Sequence, residues 1–187
     1  MPTNRKIARA LGDRSGFTLV EVLVASMILV VALLTLASMF PVGYRQIADA
    51  GRLTVATTGA RHIMEDLGSL PFGTADCATP PGNLDCFNPA ATGGKVFDTN
   101  NSATLPGADP AESIARRWRY MLAGSGSGFT FTSAETTAWG TAQPFGGRAT
   151  VRITTTSATR RTATVTVTIP STPPTTVTLS TIIVRMF

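Results

Sequence analysis

One histidine and two cysteines in 187 residues leave this chain poorly supplied for catalysis or metal binding. The histidine, His62, lies in the helical stretch GARHIMEDL and reads as a surface or helix–sheet boundary residue. Two thiolates are too few for a closed zinc site. There is no G-x-S-x-G elbow, no H-E-x-x-H and no phosphate-binding glycine loop. No catalytic residue, cofactor or metal is therefore expected. Asp98, Asp109 and Glu112 sit in or beside a loop, but their spacing matches no calcium-loop signature. Charged residues are only 14% of the chain, and one long apolar run has no second copy, so a single membrane crossing is expected.

That run is FTLVEVLVASMILVVALLTLASMF, the 24 residues from Phe17 to Phe40, with Glu21 as its only charge. As a helix it spans about 36 Å, against a hydrocarbon core of roughly 30 Å. Residues 1–16 carry Arg5, Lys6, Arg9 and Arg14 against Asp13, a net +3 of the chain's total +5. The high isoelectric point is thus largely a leader effect and a weak argument for nucleic acid. Basic residues before an apolar helix place the leader in the cytoplasm and the remainder across the membrane. Glu21 is costly inside a membrane helix and normally has a partner or a task. It lies near the cytoplasmic end, where reaching the interface is one explanation. An ordinary secretory signal cut near Ala37–Ser38 is another, but the run is long for that role and the acid is awkward there.

Beyond Pro41 the pattern becomes amphipathic. Ile47, Leu53, Ala56, Ala60, Ile63, Met64 and Leu67 recur at spacings near three and four, so one long helix is expected from 17 to 68. Pro41 is the expected kink, and Gly68 and Pro71 mark the end. Residues 69–111 read as a long loop with a short strand near Lys95–Phe97, and the exported globular part as 69–187. Cys77 and Cys86 lie nine apart in DCATPPGNLDC. In an oxidising compartment they favour a disulfide, contributing on the order of 2–3 kcal/mol.

Strand signals dominate from Ile114. IARRWRYML and GFTFTS read as a hairpin, then GRATVRITTT and RRTATVTVTI as another with SATR at the turn, then TTVTLSTIIVRMF as a central or well-covered strand. Four to five antiparallel strands against one helix define an α+β fold. In a strand, Arg117 and Arg119 would share a basic solvent face, and contact with a nucleic-acid backbone there is the weaker of two readings. Trp118 is expected to pack. Trp139, in a glycine-rich connection, is either a loop anchor or an exposed interface residue.

GFTLVEVLVASMILVVALL closely resembles the N-terminal signature of type IV pilins and pseudopilins. TTGARHIMEDL, the RRWRY segment, RRTATVTVTI and TTVTLSTIIVRMF are more loosely similar to minor pilins of the PilV type and to type II secretion minor pseudopilins. The resemblance implies a pilin fold, cleavage between Gly16 and Phe17 by a prepilin peptidase, and N-methylation of Phe17. Glu21 becomes the assembly residue, partnering a neighbour's new amine. The implied partners are other pilin or pseudopilin subunits and an inner-membrane assembly platform. The implied location is the inner membrane with the domain outside, then a filament. Major pilins often carry a proline inside the membrane part of the helix. Here the first is Pro41, and the cysteine pair follows the helix directly, which favours a minor subunit.

Overall fold

The computed structural model describes residues 16–73, 76–142 and 144–185. The expected leader, apart from Gly16, and the last two residues of the expected terminal strand lie outside the described residues. The chain divides into two compact units, with the boundary between Ile47 and Ala48.

The first unit is the apolar part of helix α1, Leu19–Ser69. No glycine or proline interrupts the sequence from Leu19 to Phe40, and leucine, alanine and methionine lower the cost of helix there. The few hydroxyls bond back into the helix: Ser26 to the Leu23 carbonyl, Thr35 to that of Val31 and Ser38 to that of Thr35. Such pairing leaves little polar demand on an apolar solvent. Pro41 lies inside α1 and does not end it.

The second unit is a helix-on-sheet layer. Its four-stranded antiparallel sheet comprises β1 (Phe97–Asp98), β2 (Arg148–Ser157), β3 (Arg160–Ile169) and β4 (Thr175–Val184), in that spatial order. Burial alternates along β3 without a break, as a period of two requires when one face is covered. Ala149, Val151, Ile153, Ala163, Val165 and Val167 form the inner face. Against them lie Ala56, Ala60, Ile63 and Leu67 of α1, at spacings of four, three and four. Ile47 and Leu53, expected on that packed face, are 71% and 52% exposed.

Three expectations are corrected. IARRWRYML is not a strand: it lies in helix α2, Ala111–Ala123. The buried positions Ala111, Ala115, Trp118 and Leu122 follow a helical face. GFTFTS therefore forms no hairpin with it, and helix α3, Ser133–Trp139, follows on a Thr132–Glu135 capping box. The last strand is not central, and only its inner side, through Val177, Leu179 and Ile183, is partly buried against the core. β4 pairs only with β3 and forms the sheet edge, with Ile182 and Val184 exposed. Proline, lysine and every charged side chain are absent from its ten residues.

The connection after α1 is also more than a loop. It supplies Leu84, Phe87 and Phe97 to the core, where Phe87, Phe97 and Trp118 form a trio with centroids 5.4–6.1 Å apart. Gly82 is needed for a close approach: a side chain there would overlap the carbonyl of Ala108.

Candidate functional site

Gly16, Phe17 and Thr18 precede α1 in irregular backbone. Thr18 Oγ1 accepts the Glu21 N–H at 3.3 Å, and the Thr18 carbonyl accepts the Val22 N–H at 3.2 Å. Thr18 thus caps the helix, and T-L-V-E has the spacing of a capping box. That signal is present in the sequence, in the three-residue spacing of Thr18 and Glu21. The cap fixes where the helix starts and holds Glu21 in its first turn, where the macrodipole favours a negative side chain.

Among the described residues, a side chain at Gly16 would meet nothing within 4 Å, so packing gives it no reason to be glycine. Phe17 is 80% exposed, and every residue of α1 from Leu19 to Val42 is exposed. The best 18-residue window has a mean hydropathy of 2.7, making α1 long and apolar enough to cross a membrane. Exposed apolar surface on this scale marks a membrane or partner contact.

The cysteine pair is a disulfide with Cα atoms 5.2 Å apart, and both residues are buried. Cys86 lies in the 3₁₀ turn Leu84–Phe87, capped by Asn83. In the same turn, Asp85 receives a bidentate pair from Arg161 of β3, at 2.6 and 3.0 Å. Both side chains are at most 9% exposed, and the Arg161 guanidinium stacks 4.6 Å over Phe72. The Asp85 hydrogen bonds raise the pKa of Arg161 further. The disulfide closes the connection on itself, and the buried ion pair clamps it onto β3.

Arg117 and Arg119 do not share an exposed face. Arg117 Nη2 donates to Asp66 Oδ1 of α1 at 2.6 Å, while Trp118 Nε1 donates to Asp66 Oδ2 at 2.7 Å. Arg119 is 5% exposed and donates to the carbonyls of Thr99, Gly124 and Ser125 and to Asn100 Oδ1. Burial lowers its pKa. Arg117 thus ties α2 to α1, and Arg119 ties the surrounding loops to α2. His62 Nε2 stands 3.7 Å from Asp66 at the same corner. Of the acids weighed for calcium, Asp98 is held by Arg148, and Asp109 accepts from the Ser113 amide and hydroxyl. Among the described residues no group of three His, Cys, Asp or Glu could hold a metal ion. Trp139 packs against Tyr120 and Phe131, each 5.7 Å away between centroids, and so anchors α3.

A second latch joins α2 to α3. Arg116 donates to both Glu135 oxygens, at 2.6 and 3.0 Å, and the Glu135 carboxylate also accepts the Thr132 N–H. The Arg116 hydrogen bond, outweighing desolvation, lowers the Glu135 pKa from 4.5 to about 2. A depressed carboxylate pKa stabilises the fold above the unfolded value, and that stability is lost as pH falls from 4.5 through 2. Solvent screens the pair, so Glu135→Gln is expected to cost about 1 kcal/mol at pH 7 and nearly nothing at pH 2. Denaturant unfolding of the full chain in detergent at the two pH values measures the difference.

A family model described as "Prokaryotic N-terminal methylation motif" matches residues 12–37. The chain thus carries a prepilin-type motif at the start of an exposed, membrane-length helix, and α1 also packs on a four-stranded antiparallel sheet. This is a pilin-like α+β architecture, consistent with the broad type IV pilin and pseudopilin family. No curated protein and no solved structure matches the chain.

Proposed function

We propose that this chain is a structural minor subunit of a type IV pilus, assembled through its N-terminal helix. The observation that carries the reading is the methylation motif at the head of a fully exposed apolar helix. Residues 1–16 act as a cytoplasmic leader, 17–40 as the membrane and assembly segment, 41–68 as the amphipathic half of the helix, and 69–187 as the exported domain. A prepilin peptidase cuts between Gly16 and Phe17. An unstructured, side-chain-free residue before an exposed phenylalanine suits an enzyme that needs extended backbone in its cleft. Methylation of the Phe17 amine leaves it cationic.

Once free, that amine lies at the positive end of the α1 macrodipole, an unfavourable place for a cation. A Glu21 carboxylate from a neighbouring subunit offsets both charges in a low-dielectric bundle of helices. The inner-membrane assembly platform and the other pilins are the partners this reading requires.

Mass spectrometry of membranes and sheared filaments tests it. The expected mature chain begins at N-methylated Phe17 and is present in filaments at low abundance. A start near Met39 would replace the reading with that of a secreted protein. A methylated start, with the chain confined to a type II secretion pseudopilus, would assign it to that machine.

A further inference from the structure

The solvent face of the β2–β3–β4 sheet has an unusual charge pattern. After Glu135 the chain contains no aspartate or glutamate, but five arginines: Arg148, Arg152, Arg160, Arg161 and Arg185. Arg161 is turned to the core side and paired with Asp85, and Arg148 is paired with Asp98. Among the described residues, Arg152 and Arg160 are exposed and have no carboxylate partner.

The register places these arginines in a line. Arg148 lies opposite Thr168 and Arg152 opposite Thr164, and Arg160 follows four residues further along the same face of β3. Successive steps of four residues are about 13 Å each. Threonine and serine hydroxyls fill the surface beside them. Thr164 pairs with Ser180 at 3.2 Å, Thr166 with Thr178 at 3.1 Å and Thr168 with Thr176 at 3.2 Å. These cross-strand bonds orient short side chains that have little rotamer freedom to lose, and each hydroxyl keeps further bonding capacity.

Away from the Arg148–Asp98 pair at its β1 border, the face is therefore cationic, sparsely charged, rich in ordered hydroxyls and free of acid. Its three strands contain no aromatic residue, so it offers no stacking platform for unpaired bases. Duplex DNA carries about one charge per 1.7 Å, a far denser array than these arginines match. A uronate polymer spaces its charges more widely than duplex DNA and carries many hydroxyls, which matches the chemistry of this face better. We propose that this sheet face docks an acidic, uronate-bearing polysaccharide. Arg152 and Arg160 take carboxylates through charge-assisted, fork-shaped hydrogen bonds, and the threonine ladder bonds the sugar hydroxyls. The proposal rests on the domain alone and holds whether or not the chain enters a filament.

The test uses the full chain in detergent micelles and three labelled probes: polygalacturonate, its fully methyl-esterified form, and duplex DNA matched for total charge. Polygalacturonate is expected to bind at least tenfold more tightly than the neutral ester and more tightly than DNA. Arg152→Gln with Arg160→Gln is expected to weaken it at least tenfold. Arg45→Gln with Arg61→Gln removes the same charge elsewhere and is expected to change it less than twofold. Thr166→Val, which keeps the β-branched shape, is expected to weaken it two- to threefold. Surface changes of this kind leave the fold intact, which circular dichroism checks. Failure to bind polygalacturonate, equal loss in the two double variants, or tighter binding to DNA would each overturn the proposal.

Discussion

Asp85→Ala is expected to lose about 3–5 kcal/mol of stability, as much as truncating a buried aromatic of the core. The cost arises because Arg161, 9% exposed at its side chain, would keep its charge without its carboxylate. Hydrogen bonds from Arg161 to the carbonyls of Ser157 and Arg160 remain, but neither is an ionised partner. Removing both charges together is a different experiment. Asp85→Leu combined with Arg161→Met is expected to recover most of the loss, since a buried ion pair is often worth no more than a well-packed apolar replacement. Denaturant unfolding followed by near-ultraviolet circular dichroism, which reports the buried Trp118, measures both. Equal stability of the single and double variants would show that the unpaired Arg161 charge is not the source of the loss.

Glu21→Gln is expected to leave cleavage at Gly16–Phe17 and methylation intact while reducing incorporation into filaments at least tenfold. The substitution keeps the length and hydrogen-bonding capacity of the side chain and removes only its charge. Thr18 still caps the helix through its own hydroxyl, so the start of α1 is unaffected. On the proposed function, what is lost is the anion for a neighbour's amine, and an unpaired cation among apolar helices is penalised by well over the 1.4 kcal/mol that a tenfold change represents. Mass spectrometry gives the processing state, and quantification of sheared filaments gives incorporation. Normal incorporation of correctly processed Glu21→Gln would remove the ion pair from the account of assembly.

The parts of this fold legible in the sequence are those where one physical pattern has no competitor. Twenty-four apolar residues with one charge can hardly be anything but a membrane-length helix. β3, with valine and threonine alternating, has an equally plain period. The segment ARRWRYML was ambiguous because its window is short. Arginines at 117 and 119 around a tryptophan fit a strand, and the helical face became visible only when the small Ala111 and Ala115 were counted with Trp118 and Leu122. Burial of Arg119 was not legible, because only the surrounding carbonyls make a buried guanidinium tolerable. Prolines and glycines concealed how much core the connection supplies, since punctuation reveals where a chain turns but not what it covers. β4 was misplaced for a related reason: its apolar Ile182, Ile183 and Val184 suggested cover on both sides, and only the pairing order reveals an edge.

That edge has a practical cost. Ten residues of uncharged, proline-free strand present a row of amide and carbonyl groups with no strand beside them among the described residues, next to two exposed branched apolar side chains. A row of this kind is a template for any extended segment that meets it. Chains at high local concentration would compete for one another's borders, so overproduction favours fibrous precipitate over soluble monomer. A single lysine at Thr178 or Ser180 would supply the guard that the natural strand lacks.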